Sequence, residues 1–267
     1  MRMIAIALLA GCLLLCSGIA SQVRAEEPQR ESESQRMSRA SEWFDRGYGH
    51  YKRGELDLAI ATYTKAIELN PDLVQAYVNR GLAYAGQGQS SRALDDYNKA
   101  EGLDKTSAAV YINRGHIYFT LGQYDRAIKD YTDAIALRRN DAMAYYNRGA
   151  AYSKIGKPRK ALDDLNVSLA IDRKNSEAYN NRGAVYYALG DIQSSINDFK
   201  KACDMGIAVA CSNLRTVSEG GPVKRDLRNH SASLWTTVVT LKPAVDRSHP
   251  KPKHKKIKKK KRSSKQK

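Results

Sequence analysis

The chain has 267 residues, a formal net charge of +17 and 42% hydrophobic residues, so it is long and apolar enough to bury a sizeable core. Its aromatic residues are mainly tyrosines, 16 against 3 phenylalanines and 2 tryptophans, which favours many half-buried surfaces over one deep core. The sequence has no phosphate-binding loop, no nucleophile elbow and no histidine pair at metal-ligand spacing. We therefore predict no catalytic activity, no cofactor, no bound metal and no small-molecule substrate.

The first 25 residues have the pattern of a secretory signal peptide. Arg2 precedes the apolar run 3–20, and Val23 and Ala25 occupy the −3 and −1 positions of a cleavage site. Two alternatives stay open: lipidation at Cys12, which ends a lipobox-like Leu-Ala-Gly-Cys, and an uncleaved anchor. All three place the body of the chain outside the cytoplasm. We predict an exported protein, periplasmic or secreted, with a lipoprotein anchored at Cys12 as the alternative.

After a polar linker, predicted over 26–39, the sequence repeats itself. A glycine recurs every 34 residues, each time four residues after an aromatic side chain, and a second glycine seven residues later is placed to end a helix. Most of these first glycines are also the last residue of a similar five-residue motif, such as Tyr-Val-Asn-Arg-Gly or Tyr-Ile-Asn-Arg-Gly. The first glycines are Gly47, Gly81, Gly115, Gly149 and Gly183, and the segments are 40–73, 74–107, 108–141, 142–175 and 176–209.

This period and pattern resemble the tetratricopeptide repeat. The resemblance implies an all-α fold in which each segment is a helix, a turn and a second helix, and in which five units stack into an α-α superhelix. We predict one more helix over 208–218, whose part beyond the fifth repeat, 210–218, caps the array.

By the same resemblance, the sixth position of each unit points into a concave groove. An asparagine ladder there is similar to the one in the repeats of O-linked N-acetylglucosamine transferase, where it grips a peptide backbone. The alternative is that these amides bond to neighbouring helices or to water. The ladder residues are Asn79, Asn113, Asn147 and Asn181, and the aromatic residues predicted to line the same face as interface anchors are Phe44, Tyr48, Tyr51, Phe119, Tyr146 and Tyr187.

An arginine and an aspartate also recur once per unit. Between residues 40 and 209 the chain holds 23 Lys and Arg against 21 Asp and Glu, so this array is nearly neutral. We predict structural ion pairs between helices, because an arginine fork matches a carboxylate. The arginines are Arg46, Arg80, Arg114, Arg148 and Arg182, and the aspartates are Asp96, Asp130, Asp164 and Asp198.

Two cysteines remain outside the signal segment, Cys203 and Cys211. On one straight helix they would be about 12 Å apart, too far for a bridge, whereas across a helix-turn-helix they can meet. Their spacing resembles cysteine-rich Sel1-like helical repeats, which implies a disulfide. Two packed free thiols are the alternative.

The positive charge lies at the C-terminal end. A linker is predicted over 219–249, within which 234–241 is either a short strand or a docking segment. Residues 250–267 hold 11 Lys and Arg and no acid, so we predict a disordered tail that binds an anionic envelope surface or another polyanion. No aromatic residue is present for base stacking, so we expect no specific nucleic-acid binding. The predicted contacts are Lys255, Lys256, Lys258, Lys259, Lys260, Lys261 and Arg262, and a solvated solubility tail is the alternative.

These features predict a protein–protein interaction scaffold of the cell envelope that binds a partner protein or an extended peptide in its groove. The alternative is a polyanion-binding protein that acts through its tail, with the repeats as a spacer. A regulatory subunit of an envelope enzyme is a third hypothesis.

Overall fold

The computed structural model describes residues 31–220. In this part of the chain every regular element is an α-helix, eleven in all, so the predicted all-α fold is confirmed. The helices are α1 Glu33–Lys52, α2 Leu56–Leu69, α3 Val74–Gly86, α4 Ser90–Leu103, α5 Ala108–Thr120, α6 Tyr124–Leu137, α7 Ala142–Lys154, α8 Pro158–Ile171, α9 Ser176–Leu189, α10 Ile192–Asp204 and α11 Ala208–Ser218.

The helices divide into two compact units, and the boundary along the chain falls between Gln87 and Gly88, in the turn of the second repeat. The first unit contains α1, α2 and α3, and the second contains α4 to α11. Within each unit every helix packs against the next one along the chain, and in the second unit the first helices of successive repeats also touch: α5 contacts α7, and α7 contacts α9. The first helices therefore form one side of the second unit.

Helix α1 begins earlier than the sequence predicts. Ser32 caps it: its hydroxyl accepts a hydrogen bond from the backbone N–H of Gln35, whose side-chain oxygen accepts from the Ser32 N–H in return. This reciprocal capping box satisfies two helix-end donors that would otherwise lack partners. The predicted linker over 26–39 is thus wrong for residues 33–39, which are helical.

The turn glycines adopt the backbone conformation that the repeat requires. Each lies in the left-handed region, where a residue without a Cβ carries no steric penalty. They end the first helix of every repeat, as predicted, and one more ends α10. The set is Gly54, Gly88, Gly122, Gly156, Gly190 and Gly206, with φ between 72° and 94°.

The helical glycines serve close packing. Gly183 of α9 faces the ring of Phe199 of α10, which is fully buried. A Cβ on Gly183 would lie 2.9 Å from Phe199 Cδ1 and 3.0 Å from its Cε1, closer than carbon atoms tolerate. The two helices of this repeat therefore approach to a distance that only glycine allows.

We expect Gly183→Ala to destabilise the protein. Alanine gains about 1 kcal/mol of helix propensity, but overpacking a core costs about 1–3 kcal/mol, so the net loss is on the order of 1 kcal/mol. The control is Gly102→Ala in α4, where a Cβ would meet nothing within 4 Å and the variant should gain stability. Urea unfolding measures both. Equal stabilisation by the two substitutions would contradict the close-approach explanation.

Helix α11 covers the end of the second unit. Its buried residues Ala210 and Val217 pack in one cluster with Phe199 and Ala202 of α10. Its exposed positions, Ser212, Arg215 and Ser218, are polar. An array that ended on α10 would expose this apolar cluster, so α11 replaces an apolar surface with a polar one.

Candidate functional site

The ladder asparagines lie on the first helices, and most of their side chains are enclosed. Asn79, Asn113 and Asn147 are 8%, 7% and 3% exposed. Asn181 is half-buried. Burial of a carboxamide without hydrogen bonds is costly, so the partners of these four amides decide what the ladder does.

Of these four amides, only that of Asn181 has a side-chain partner on another described helix. Its Nδ2 donates to the hydroxyl of Tyr146 at 3.0 Å, joining α9 to α7. Within residues 31–220 the amides of Asn79, Asn113 and Asn147 form no hydrogen bond, and the Asn147 Oδ1 is fully enclosed without a donor. The predicted alternative, an amide that bonds to a neighbouring helix, is therefore correct for Asn181. The other three amides form no hydrogen bond within the described residues.

The six predicted aromatic residues divide into two groups. Phe119 and Tyr146 are each 5% exposed and belong to the main core cluster of the second unit. Phe119 packs edge-on against Tyr124, with ring centroids 5.2 Å apart. The prediction that these two residues are accessible interface anchors is wrong for this conformation, because the neighbouring helices cover them. The half-buried members are Phe44, Tyr48, Tyr51 and Tyr187.

The structure adds Glu177, which the sequence reading did not select. Glu177 lies four residues before Asn181, on the same face of α9, and Asn181 contacts Tyr146 of α7. Burial raises the pKa of Glu177, and no ion pair or hydrogen bond holds its carboxylate within residues 31–220. Burial, and then the charge of Glu177, raise the pKa of Tyr146. The sequence signal was available: Glu177 is the one acid at the second position of the repeats, where the others are Ser41, Gln75, Ala109 and Met143.

The predicted arginine–aspartate pairs form in the second unit. Each arginine uses its Nε and Nη2 to hold both oxygens of the aspartate 16 residues later, on the second helix of its own repeat. The pairs are Arg114–Asp130 (2.9 and 2.9 Å), Arg148–Asp164 (2.8 and 2.8 Å) and Arg182–Asp198 (2.7 and 2.9 Å). The prediction of structural ion pairs between helices is confirmed for these three.

Four of the arginines also bond to a residue of the preceding repeat, an interaction that the sequence analysis did not predict. In each, Nη1 donates to a side-chain oxygen 16 residues earlier, on the second helix of the preceding repeat. The bonds are Arg80 to Thr64 (3.0 Å), Arg114 to Asn98 (2.8 Å), Arg148 to Thr132 (3.1 Å) and Arg182 to Asn166 (2.9 Å). Polar residues at this fixed spacing were the signal. In the second unit each of Arg114, Arg148 and Arg182 therefore links three helices.

Two tyrosine rings lie close to the guanidinium group of Arg148 and two close to that of Arg182. The guanidinium carbon of Arg182 lies 5.5 Å from the ring centroid of Tyr179 and 5.7 Å from that of Tyr186. Arg148 lies 5.6 Å from Tyr145 and 6.0 Å from Tyr152. These cation–π contacts explain many of the tyrosines of the sequence as packing partners of the arginine series rather than as groove residues.

Cys203 and Cys211 are joined by a disulfide, with a Cα–Cα distance of 4.7 Å. It links α10 to α11 across the turn at Gly206, as predicted. Residues 1–30 and 221–267 lie outside the described residues, and with them the predicted signal segment and lysine-rich tail. Between residues 31 and 220 no helix is long and apolar enough to cross a bilayer. The same region brings no three His, Cys, Asp or Glu side chains together as metal ligands.

Comparisons with known proteins agree with this architecture. A family model described as TPR repeat matches residues 47–88 and 115–156, and one described as Tetratricopeptide repeat matches 74–107 and 176–205. No curated protein matches the sequence.

Among solved structures, MamA is 29% identical, with a TM-score of 0.56 over 62% of this chain and 91% of MamA. YrrB, described as a TPR protein with an unusual peptide-binding site, is 21% identical, with a TM-score of 0.54 over 67% and 89% of the two chains. PilF of Pseudomonas aeruginosa is 19% identical, with a TM-score of 0.63 over 78% and 94%.

Proposed function

The chain belongs to the tetratricopeptide-repeat family, and from this premise we propose that it is a scaffold that binds an extended peptide segment of a partner protein along its first helices. The observation that carries the proposal is the set of enclosed asparagine amides that the fold does not use. In the second unit these are Asn113 and Asn147. Native proteins pair almost all of their buried polar side chains, so unused amides in a repeated position need an explanation.

A peptide backbone supplies the missing partners. Each carboxamide offers two N–H donors and one acceptor oxygen, which match the C=O and N–H groups of an extended chain. Such bonds hold a backbone without reading its side chains. Because the Asn147 Oδ1 is fully enclosed in the unbound chain, binding requires the side chains above it to move.

The scaffold is well suited to hold these amides in place. In the second unit Arg114, Arg148 and Arg182 fix each first helix to its own second helix and to that of the preceding repeat. Fixed helices present the ladder in one geometry, which reduces the ordering cost of binding. YrrB shares the fold, and at 21% identity it supports the fold alone.

We further propose that the protein acts outside the cytoplasm, in the cell envelope or secreted. The signal-like residues 1–25 support this location. The disulfide between Cys203 and Cys211 supports it independently, because disulfides persist in oxidising compartments.

Replacing Asn113 and Asn147 together with alanine should weaken peptide binding about tenfold or more, since each amide contributes about one hydrogen-bond pair to a desolvated groove. Peptides selected from a random display library on the purified protein provide the probe, and titration gives the affinities. Neither amide bonds to another described residue, so the melting temperature should change little.

The matched control is Asn197→Ala on α10, an exposed asparagine on a second helix, which should bind the selected peptides like the parent. Unchanged affinity in the double variant would contradict a ladder-bound backbone. Failure to select any peptide would contradict the scaffold proposal as a whole.

A second candidate function rests on residues 250–267, with 11 Lys and Arg and no acid beside a nearly neutral array. In this alternative the tail binds anionic lipid head groups or wall polymers and the repeats are a spacer. Deleting 250–267 should abolish binding to vesicles of anionic phospholipid and leave peptide binding intact. Binding through the tail should also fall steeply with salt, because counterion screening weakens it. Salt-insensitive vesicle binding by the truncated chain would exclude this role.

A further inference from the structure

Helices α7 and α9 carry two acceptor groups that lack donors among residues 31–220. One is the Asn147 Oδ1 on α7, enclosed and without a partner. The other is the Glu177 carboxylate on α9, half-buried and without an ion pair or hydrogen bond among residues 31–220. Both groups are acceptors, and an ionised carboxylate has no proton to donate.

The two groups belong to one face of the second unit. Asn147 directly follows Tyr146, whose hydroxyl accepts from Asn181 of α9 at 3.0 Å. Glu177 lies one helical turn before Asn181 and acts on Tyr146 through its charge. The Tyr146–Asn181 bond thus joins the two helices, next to Asn147 in the sequence of α7 and one helical turn from Glu177 on α9.

A half-buried carboxylate without a counter-ion is unfavourable, and three buried carboxylates of the second unit have one. Asp130, Asp164 and Asp198 are each buried and each receive a bidentate arginine. Among residues 31–220 Glu177 has no such partner, although this part of the chain holds several arginines. A binding site explains the difference, because the missing cation then arrives with the ligand.

Resting on the proposed function, we propose that this part of the groove selects a lysine or arginine side chain of the partner segment, with Glu177 as its counter-ion and the Asn147 Oδ1 as a second acceptor. A lysine ammonium carries three donors and an arginine guanidinium five, enough for both groups. An apolar or acidic side chain would leave both acceptors unpaired, and a neutral amide would leave the Glu177 carboxylate without a counter-ion. Glu177 therefore sets the charge preference, whereas the Asn113 amide and the N–H groups of the Asn147 amide hold the backbone.

The test compares peptides selected from a random display library on the parent protein, on Glu177→Gln and on Glu177→Lys. Glu219→Gln is the matched control, since Glu219 is exposed and follows the last helix α11. The parent and the control should enrich peptides with a basic residue at a fixed position. Glu177→Gln should bind those peptides about tenfold more weakly, the loss expected for one charge-assisted contact, and Glu177→Lys should select acidic residues at the same position.

The stability readout separates this role from a structural one. Because burial disfavours the charged form of Glu177 and raises its pKa, Glu177→Gln should melt at the same temperature as the parent or above it, while binding weakens. A lower melting temperature would assign Glu177 to the fold and overturn the proposal.

The remaining outcomes are also decisive. Peptide selection without any basic preference would overturn the charge selection and leave the proposed scaffold function standing. If no peptide is selected, both the charge selection and the proposed scaffold function are wrong. If deleting residues 250–267 raises the affinity for basic peptides, and Glu177→Gln removes that rise, the cation comes from the chain's own tail and the partner assignment is wrong.

Discussion

Replacing Arg114 with alanine should lower the free energy of unfolding by about 3–5 kcal/mol, the usual cost of leaving a buried charge without its partner. The Arg114 side chain is 8% exposed and that of its partner Asp130 is 3% exposed. The same guanidinium bonds to Asn98 and Glu101 on α4, so its loss also weakens the contact between successive repeats. Urea unfolding followed by circular dichroism measures the effect.

A double-mutant cycle isolates the charge effect. Arg114→Ala with Asp130→Asn should recover a substantial part of the loss, because no buried charge is then left unpaired. Arg148→Ala is the graded comparison: its side chain is 17% exposed, so water can solvate Asp164 better and the loss should be smaller. A double variant as unstable as Arg114→Ala would show that packing, not the unpaired carboxylate, causes the loss.

The free energy of unfolding of the Arg114→Ala variant should also depend on pH more strongly than that of the parent. Burial already raises the pKa of Asp130, and the Arg114 guanidinium counteracts it. Without the arginine the folded pKa rises further above the unfolded value of about 3.9, so the folded state binds more protons than the unfolded one. The variant should therefore lose stability as pH rises from about 4 towards neutrality, relative to the parent. A difference between variant and parent that is independent of pH would contradict this.

Reducing the disulfide should remove about 2–3 kcal/mol of stability in the chain-entropy account, since it closes a loop of about nine residues. The effect should be local. In a repeat array each unit contacts mainly its neighbours, so the cap frays before the middle of the array. Helix α11 should lose hydrogen-exchange protection on reduction, while α5 to α8 keep theirs.

The control is the double variant Cys203→Ser and Cys211→Ser. In this variant α11 should show the same low hydrogen-exchange protection with and without reductant. Alkylation followed by mass measurement verifies the redox state. Two free thiols in the native protein, or equal loss of protection along the whole array, would contradict the local role of the bridge.

The aromatic anchors illustrate the limit of positional reasoning. Tyr187 and Phe119 occupy equivalent places in their repeats, yet Tyr187 is half-buried and Phe119 is enclosed by the core. The sequence position specifies the helix face, and only the neighbouring helices specify how much of that face stays open. The same reasoning applies to Glu177, whose residue type was visible while its lack of a counter-ion was not.

Short regular patterns along the chain were enough to predict the repeat, the helices and turns within it, the arginine–aspartate spacing and the cysteine pair. Only the packing of the helices shows which amides the fold uses, that Phe119 and Tyr146 are covered, and that four of the arginines also bond to the preceding repeat. It also shows that Glu177 has no ion pair or hydrogen bond among residues 31–220. These properties depend on contacts between separate helices, and burial and pairing are set by which side chains the packing brings together.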